Sequence, residues 1–492
     1  MTVETGNKRP CPPFSKLTFE RAPISKPRLI AVSNRTAAGN VKRAGGLAVA
    51  LRDCLGPDDL WVGWSGRLYD FPTRTARRTT EEGINFALLD LSKPEYEGFY
   101  LGYSNSALWP AVHNRLDLVH FDQESFRAYC KVNRGFAHII AEEAGPDDLV
   151  WIHDFHLFLT ARYLRELGVT SRLGMFMHTP FPPAEVFRAV PGHKELGASL
   201  AAFDVIGTQT TTDLRNLARY LAEDHGAESV GDHEYRIGSH TLRLLHCPIG
   251  MDVEGFAGLP TSKPARKAVK RLSKLVGKNR DFVIGVDRMD YSKGLPERFE
   301  GMGLVFDQYP EMHGKLSFLQ IAPPSRSDVQ EYQDLRERLD RLSGRINGDY
   351  GDLDWVPIRY LAKGYPREEL AGLFRYAKVG LVTPLQDGMN LVAKEYIAAQ
   401  DPEDPGVLVL SQFAGAAEQM SQGGEGALIV NPHDHQAIAH AVIRALRMPL
   451  DERRRRWQVL YEGMEAQDIA WWRDRFLAAL AHKTVSESIA AE

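Results

Sequence analysis

The stretch Leu381-Val-Thr-Pro-Leu-Gln-Asp-Gly-Met-Asn-Leu-Val-Ala-Lys-Glu395 decides the fold class of this 492-residue chain. The apolar run Val379–Val382 predicts a buried strand. A turn marked by Gly388 follows that strand, and a helical pattern begins at Asn390. The first turn of such a helix presents unpaired N–H groups and the positive end of the helix dipole. A strand that leads into a helix N-terminus in this way is typical of phosphate-binding α/β folds.

Two carboxylates accompany this predicted phosphate site. Asp387 lies just outside the start of the helix, and Glu395 follows about two turns further along. A phosphate site with two nearby carboxylates suits the diphosphate of a nucleotide sugar better than a bare phosphate. An ordinary strand-to-helix turn would show the same local pattern and remains the alternative at this point.

Seven other short apolar runs alternate with longer helix-like segments. They are Leu29–Val32, Leu149–Ile152, Leu173–Met177, Val205–Ile206, Phe282–Val286, Val407–Leu410 and Ala427–Val430. Continuous apolar strands interleaved with helices predict an α/β fold whose parallel sheets are covered on both faces. Polar residues follow most of these runs. Because doubly wound sheets bind ligands at the carboxyl ends of their strands, we expect a large cleft there.

The chain is too long for a single core, and we expect two Rossmann-like halves that divide near Pro248-Ile-Gly-Met-Asp252. The predicted units are a loose leader at 1–26, an N-terminal half at 27–248, a C-terminal half at 249–465, and a helical segment at 466–492. We expect that last segment to return to the first half.

Composition excludes several classes of protein. The net charge of −4 argues against nonspecific nucleic-acid binding. No apolar run is long enough to cross a bilayer, and the N-terminal segment lacks the apolar core of a signal peptide. The four cysteines are scattered and fit neither zinc spacing nor a disulfide framework. We therefore predict a soluble, cytoplasmic protein with no membrane or nucleic-acid partner.

A second informative segment is Gly285-Val-Asp-Arg-Met-Asp-Tyr-Ser-Lys-Gly-Leu-Pro-Glu-Arg298. Arg288 leaves a predicted strand, and Lys293 follows five residues later in a turn. Together they could grip a diphosphate, the arginine bidentately and the lysine as a point charge. In sugar transfer, negative charge grows on the leaving phosphate, so fixed cations there stabilise the transition state. Either residue alone would more often lie on the surface, and that alternative stays open.

A third cluster lies in the first half. Ser33-Asn-Arg35 follows the first predicted strand, and the consecutive glycines Gly45 and Gly46 open a helix. Such a pair lets the backbone approach a ligand closely, although it is also common in plain turns. The segment Phe99–Pro110 is rich in aromatic and small polar residues, which suits stacking on a sugar. The alternative for Tyr100 and Trp109 is packing in the core, and without further evidence that alternative is favoured.

Taken together, these segments resemble the trehalose-6-phosphate synthases, retaining GT-B enzymes of glycosyltransferase family 20, from about Arg28 to about Phe476. The markers are Ser33–Arg35, Ala44–Leu47, Gly63–Gly66, Ser104–Pro110, Trp151–Asp154, Asp290–Phe299, Asp387–Tyr396 and Ser411–Ala416. The resemblance implies two Rossmann-like doubly wound domains that face each other across a cleft, the first for the acceptor and the second for the nucleotide sugar. The implied reaction moves glucose from UDP-glucose to glucose 6-phosphate, giving α,α-trehalose 6-phosphate and UDP.

The resemblance also implies roles for individual residues. The donor side comprises Gly45, Gly46, His178, Arg288, Lys293, Asp387, Gly388, Met389, Asn390, Leu391 and Glu395. Four of these, Arg288, Lys293, Asp387 and His178, form the implied catalytic group. The acceptor side comprises Arg35, Tyr100, Trp109, Asp154 and Arg326. No metal ion, cofactor or protein nucleophile is expected, and the acidic Asp352-Leu-Asp354 is predicted to be solvated.

Three residues depart from the family pattern, and two other functions compete. Gln386, Phe155 and Thr179 stand where the family commonly has arginine, tyrosine and an aliphatic residue; none removes an implied ligand.

The same scaffold could make glucosylglycerol phosphate by changing only the acceptor. A catalytically silent sugar-phosphate sensor is the alternative from another class, although the cations and carboxylates of the donor side are all present. The donor base and homo-oligomerisation stay open.

Overall fold

Two sheets organise the computed structural model, which describes residues 27–38, 51–52, 54–70, 75–277, 280–326 and 329–482. The predicted leader at 1–26, the Gly45-Gly46 pair and residues 483–492 lie outside the described residues.

The first sheet has ten strands in the described part of the chain. They are β1 Leu29–Arg35, β2 Leu60–Tyr69, β3 Arg77–Glu81, β4 Ile84–Ser92, β5 Leu149–His153, β6 Arg172–Phe176, β7 Val205–Thr208, β8 Glu228–Gly231, β9 Glu234–Ile237 and β10 His240–His246. Their order is β3-β4-β2-β1-β5-β6-β7-β10-β9-β8, and the strands from β4 to β10 in that order pair in parallel.

The second sheet has six parallel strands in the order β13-β12-β11-β14-β15-β16. They are β11 Asp281–Val286, β12 Leu316–Ile321, β13 Ile358–Leu361, β14 Val379–Val382, β15 Val407–Ser411 and β16 Leu428–Val430. All eight apolar runs picked out in the sequence form strands, namely β1, β5, β6, β7, β11, β14, β15 and β16. The predicted α/β class with two parallel sheets is confirmed.

Helices connect the strands and cover the sheets. They are α1 Lys93–Glu95, α2 Trp109–Val112, α3 Gln123–Glu143, α4 Thr160–Glu166, α5 Ala184–Arg188, α6 His193–Leu200, α7 Thr211–His225, α8 Val253–Ala257, α9 Lys263–Val276, α10 Leu295–Gln308, α11 Gln330–Tyr350, α12 Arg367–Tyr376, α13 Leu391–Ala398, α14 Ala416–Met420, α15 His435–Arg447, α16 Leu450–Ala466 and α17 Ile469–Ala481. Short 3₁₀ turns occupy Leu116–Leu118, Phe155–Leu157, Leu259–Thr261, Tyr291–Lys293, Pro310–Met312 and Gln422–Gly424. None of the helices in the described ranges combines the length and apolarity that a membrane crossing requires.

Each sheet has a switch point, where the order of its strands along the chain reverses. At such a point a crevice opens outside the carboxyl ends of the strands. In the first sheet this point lies at β1, whose neighbours are β2 and β5; in the second it lies between β11 and β14. In doubly wound sheets, loops that leave the carboxyl ends of the strands at such a point generally diverge. The residues after these strands are therefore the ones placed to bind a ligand.

The aromatic segment before α2 adopts a conformation that the sequence did not predict. Tyr96–Leu108 is a π-helix, and the Trp109 N–H accordingly donates to the Ser104 carbonyl five residues back. Side chains add to the backbone pairing, since Asn105 Nδ2 donates to the Tyr100 carbonyl at 2.7 Å. π-Helical segments are rare, appear mostly as single-turn bulges, and are frequently found at functional sites. This one brings Tyr100 and Trp109 to the edge of the same cavity.

The C-terminal helix α17 lies against β6 and β7 of the first sheet. Trp472 is fully buried and packs against Trp151 with ring centroids 4.8 Å apart. The chain crosses between the sheets near Gly250 and again near Asp468, and the two crossings touch. A Cβ on Gly250 would lie 2.1 Å from the Asp468 carbonyl carbon, so only glycine permits this contact.

Candidate active site

A cavity of about 260 Å³ lies where the carboxyl ends of strands from both sheets face each other. It is lined by Asn34, Tyr100, Trp109, His113, Asp154, Phe155, His156, His178, Thr179, Arg288, Lys293, Arg326 and Asp387. Eight of the residues implied by the resemblance meet here: Tyr100, Trp109, Asp154 and Arg326 from the acceptor set, and His178, Arg288, Lys293 and Asp387 from the donor set. These residues are spread over almost 290 positions of the sequence. They come together because the switch points of the two sheets face each other across the cavity.

Asp290 holds the arginines of the cavity in place. Its side chain is fully buried, and its Oδ2 accepts from Arg326 at 3.2 Å and from the Tyr332 hydroxyl at 3.2 Å. Burial would raise the pKa of this carboxyl, but Arg326, Arg288 and Lys293 outweigh burial and hold the pKa well below its usual value. Asp290 is therefore an anion that fixes the direction of the cationic side chains.

Trp109 stacks on the same arginines. The Arg326 guanidinium carbon lies 4.2 Å from the indole centroid, and that of Arg288 lies 5.5 Å away. Stacked guanidinium groups keep their N–H edges free for an anion. Burial opposes the charge of Arg326, yet Asp290 and Tyr332 raise its pKa above the usual value. Trp109 is 7 % exposed, so it belongs both to the core and to the cavity wall.

The donor side is built around Asp387. Its Oδ2 lies 2.5 Å from Lys293 Nζ and accepts from Asn390 Nδ2 at 3.0 Å. Asn390 caps α13 with a left-handed backbone, and its side chain makes no capping hydrogen bond to the N–H groups of that helix. The helix N-terminus predicted from the sequence is thus present, with a cation and a carboxylate next to it.

Gly388 marks a close approach between the two sheets. A Cβ at this position would lie 2.0 Å from the His178 carbonyl oxygen, which is backbone and has little room to move. On the other side, a Cβ on Gly415 would lie 1.8 Å from the Gly388 carbonyl oxygen. The loop after β14 is therefore held between the loop after β6 and the turn before α14. The sequence predicts the turn, and the contact with His178 is what makes glycine necessary.

The loops after β5 and β6 complete the part of the cavity wall that the first sheet supplies. Asp154 has a φ of 74°, in the left-handed region that a non-glycine residue adopts at a cost, and such strain is concentrated at functional sites. Desolvation raises the pKa of Asp154 to about 6, against the opposing effect of backbone N–H groups and Arg288. His178 Nε2 lies 3.1 Å from His153 Nδ1, and burial lowers the pKa of His178 to about 3. His178 is therefore a neutral imidazole at pH 7.

Several predicted site residues lie outside the cavity wall. Arg35 is exposed, with its guanidinium 5.5 Å from the Trp64 ring, and Trp64 in turn lies 6.3 Å from Tyr100. Glu395 is on α13, 3.7 Å from Arg367, and desolvation raises its pKa to about 7. Gly388, Met389, Asn390 and Leu391 do not line the cavity either.

The predicted donor and acceptor sets lack five residues of the site: Asn34, His113, His156, Asp290 and Tyr332. Asp290 stood inside a segment already singled out, next to Arg288, and a carboxylate beside two cations was an available signal. The histidines offered less, because His113 and His156 follow aromatic segments that equally fit a core. Two departures from the family also belong to the wall, since Phe155 packs 5.6 Å from Trp109 and Thr179 is buried.

A larger cavity of about 650 Å³ adjoins the first at Asp387 and contains the third departure, Gln386. Its walls come from both sheets and include Asp213, whose pKa is raised to about 6 by burial.

As for metals, the described ranges contain no group of three or more histidine, cysteine or acidic side chains arranged to hold an ion. Asp352 and Asp354 are exposed, and Asp354 pairs with Arg280 at 2.7 Å.

Two facing parallel sheets with the ligand cavity between their carboxyl ends define the GT-B fold. The family model for glycosyltransferase family 20 matches residues 19–482, and the chain belongs to that family.

Relatives with known names and structures are similar over nearly their whole length. A trehalose-6-phosphate synthase of Cronobacter sakazakii is 44 % identical over 462 residues, covering 93 % of this chain and 96 % of the relative. The crystal structure of a UDP-forming α,α-trehalose-phosphate synthase of Burkholderia xenovorans in complex with glucose-6-phosphate superposes with a TM-score of 0.87 at 43 % identity, covering 92 % and 100 % of the two chains. An Escherichia coli structure described as trehalose-6-phosphate bound with UDP-2-fluoro glucose gives a TM-score of 0.88 at 41 % identity, covering 93 % and 99 %.

Proposed function

We propose that this protein is a retaining glucosyltransferase that moves glucose from UDP-glucose to glucose 6-phosphate and forms α,α-trehalose 6-phosphate and UDP. One observation carries the proposal: a single cavity is lined by four of the implied acceptor residues and by four of the implied donor residues. The similar structures contain glucose-6-phosphate in one case and a UDP-glucose analogue in another, which supports the same pair of substrates.

On the donor side, Arg288 and Lys293 would hold the diphosphate together with the N-terminus of α13. Negative charge develops on the leaving phosphate as the glycosidic bond breaks, so these groups bind the transition state more strongly than the ground state. Their two positive charges supply what a metal ion supplies elsewhere, and metal independence is part of the proposal. Asp387 and the neutral His178 would contact the transferring glucose, and Glu395 the ribose hydroxyls.

On the acceptor side, Arg326, Tyr100 and Arg35 would bind the 6-phosphate, and Asp154 would accept from a sugar hydroxyl. The Asp154 Oδ1 atom is buried and has no hydrogen-bond partner among the described residues, which suits that role. Retention follows if leaving group and incoming hydroxyl share one face of the sugar, with the departing phosphate taking the acceptor proton. No protein nucleophile is then required.

A cytoplasmic location is part of the same proposal. Among the described cysteines, Cys130 and Cys247 are free thiols, and free thiols are usual in a reducing compartment.

The test measures transfer for every combination of donor and acceptor. Purified protein is incubated with UDP-, ADP- or GDP-glucose and with glucose 6-phosphate or glycerol 3-phosphate, and products are identified by mass and their anomeric configuration by NMR. We expect an α,α-linked disaccharide phosphate from UDP-glucose and glucose 6-phosphate. Transfer to glycerol 3-phosphate alone would replace this function with glucosylglycerol-phosphate synthesis. Binding of both substrates without any product would indicate a sensor.

A further inference from the structure

The imidazole of His156 is polar, buried and unsatisfied. Both of its ring nitrogens are shielded from solvent, and neither has a hydrogen-bond partner among the residues that the structure describes. An unsatisfied buried polar atom destabilises the folded state, and native proteins keep few of them unless a ligand or water supplies the partner. His156 lines the 260 Å³ cavity, so the missing partner can come from a substrate.

His156 lies on the acceptor side of that cavity. Its ring stacks on Tyr100 with centroids 5.8 Å apart and planes 10° from parallel, and it contacts the Phe155 ring at 4.0 Å. Arg326 is close enough that its charge acts on the imidazole. Tyr100 and Arg326 are the proposed phosphate ligands, so a sugar whose phosphate they hold would bring its ring towards His156.

Other unsatisfied atoms surround the same space. Asn34 Oδ1, Asp154 Oδ1 and Thr179 Oγ1 line the cavity, and each is buried without a partner among the described residues. These groups, unlike the arginines, suit hydroxyls rather than phosphate, because a hydroxyl both donates and accepts. Burial, aided by Arg326, lowers the pKa of His156 to about 3. Its ring is therefore neutral at pH 7, with one nitrogen to donate and one to accept.

We propose that His156 is a specificity-determining residue that hydrogen-bonds a ring hydroxyl of the acceptor sugar. This inference rests on the proposed function, because it takes the acceptor to be a hexose phosphate. This contact explains why a hexose phosphate would be preferred to glycerol 3-phosphate. Glycerol 3-phosphate has fewer hydroxyls and would leave more of the buried polar atoms unpaired. Sites built to bind a hydroxyl reject analogues that lack it, for this reason.

The test uses His156→Phe, which keeps an aromatic ring against Tyr100 and removes both nitrogens. Since replacing an unsatisfied polar group by an apolar one of similar shape does not weaken the fold, we expect an unchanged or higher Tm. The KM for glucose 6-phosphate should rise by about 10- to 100-fold, with UDP affinity unchanged. The control is His313→Phe. His313 lies against Trp355, but its Nε2 is bonded to the Phe306 carbonyl at 2.7 Å, so this change should lower the Tm and leave the KM unaltered.

Deoxy acceptors make the test specific. Wild-type protein and His156→Phe are compared on glucose 6-phosphate and its 2-, 3- and 4-deoxy analogues. One analogue should be rejected by about 10- to 100-fold in the wild type and by no more than about twofold in the variant. Wild-type KM and wild-type discrimination in the variant would overturn the assignment of His156. Absence of transfer to glucose 6-phosphate by the wild type would instead overturn the proposed function. If His156→Phe fails to fold, His156→Leu carries the same comparison with the same outcomes.

Discussion

Lys293 Nζ lies 2.5 Å from Asp387 Oδ2, and the two side chains are 9 % and 14 % exposed. This ion pair joins the loop after β11 to the loop after β14, the two strands between which the order of the second sheet reverses. Asn390 Nδ2 donates to the same Asp387 oxygen at 3.0 Å, so the lysine is held next to the residue that caps α13. The cation proposed for the diphosphate is therefore positioned before any substrate arrives, which is what electrostatic stabilisation of a transition state requires.

Removing this cation should slow transfer strongly. We expect Lys293→Ala to lower kcat/KM by about 30- to 1000-fold, the equivalent of roughly 2–4 kcal/mol for the loss of one preorganised group. Arg288→Ala should act in the same direction. The control is Lys131→Ala, which removes a lysine that pairs with Glu95 at 2.9 Å outside the cavity. Near-normal kcat/KM in both Lys293→Ala and Arg288→Ala would refute the donor assignment.

The two acceptor arginines should differ in their effect on stability. Arg326→Ala and Arg35→Ala should each raise the KM for glucose 6-phosphate about tenfold or more, because each removes a charge-assisted phosphate contact. Only Arg326→Ala should also destabilise the fold, by about 3–5 kcal/mol, since it leaves the buried Asp290 without its nearest guanidinium. Thermal unfolding and acceptor kinetics measure the two effects separately. Loss of UDP binding with retained acceptor binding would show that the two sides are exchanged.

The glycine at the close approach should not tolerate a methyl group. Gly388→Ala would place a Cβ 2.0 Å from the His178 carbonyl oxygen, so the two sheets must move apart. We expect a loss of kcat/KM of about 100-fold or more, because displacements of about 1 Å in a reacting geometry have effects of that size. The control, Gly344→Ala, changes an exposed position on α11 with nothing within 4 Å, and should raise stability by about 0.5–1 kcal/mol at unchanged activity. Normal activity of Gly388→Ala would contradict the proposed contact.

The carboxyl of Glu395 should make stability depend on pH. Desolvation raises its pKa from 4.5 in the unfolded chain to about 7 in the fold, although Arg367 opposes the shift. Between these values the unfolded chain has released the proton and the folded chain still holds it. Stability should therefore fall as pH rises from about 4.5 to about 7, by up to roughly 1.4 kcal/mol per pH unit, and stay level above that. Glu395→Gln should remove this slope in unfolding curves recorded without ligand. A wild-type profile parallel to that of the variant would contradict the raised pKa.

Chelation should leave most of the activity. Arg288, Lys293 and the N-terminus of α13 supply positive charge at the diphosphate without an ion, so excess EDTA should change the rate by less than about twofold. The measurement is the initial rate after dialysis against EDTA, with Mg²⁺ added back to a parallel sample. Complete loss that a divalent ion restores would show that an ion takes part in transfer.

The sequence alone determined eight of the parallel strands and the edge of each sheet at which the candidate site lies. Strands buried on both faces must be continuous in apolar residues, so β1, β5, β11 and β14 were visible in it. The polar residues that follow them were then expected at one edge of each sheet. β12 was not recognised, since it buries Ser317 and Gln320. Gln320 is satisfied by Arg298 at 2.9 Å, a partner that local sequence does not reveal.

Only the tertiary structure decided which of these groups act on one another. Trp109 and Asp290 are 181 residues apart and share a hydrogen bond, and Gly388 meets the His178 carbonyl across the two sheets. The unsatisfied nitrogens of His156 could likewise be recognised only once its surroundings were known. A local sequence pattern indicates whether a residue is buried and in which helix or strand it lies, because both depend on neighbouring residues in the sequence. Hydrogen bonds, ion pairs and close backbone approaches depend on where two distant segments meet, and that is set by the packing of the whole chain.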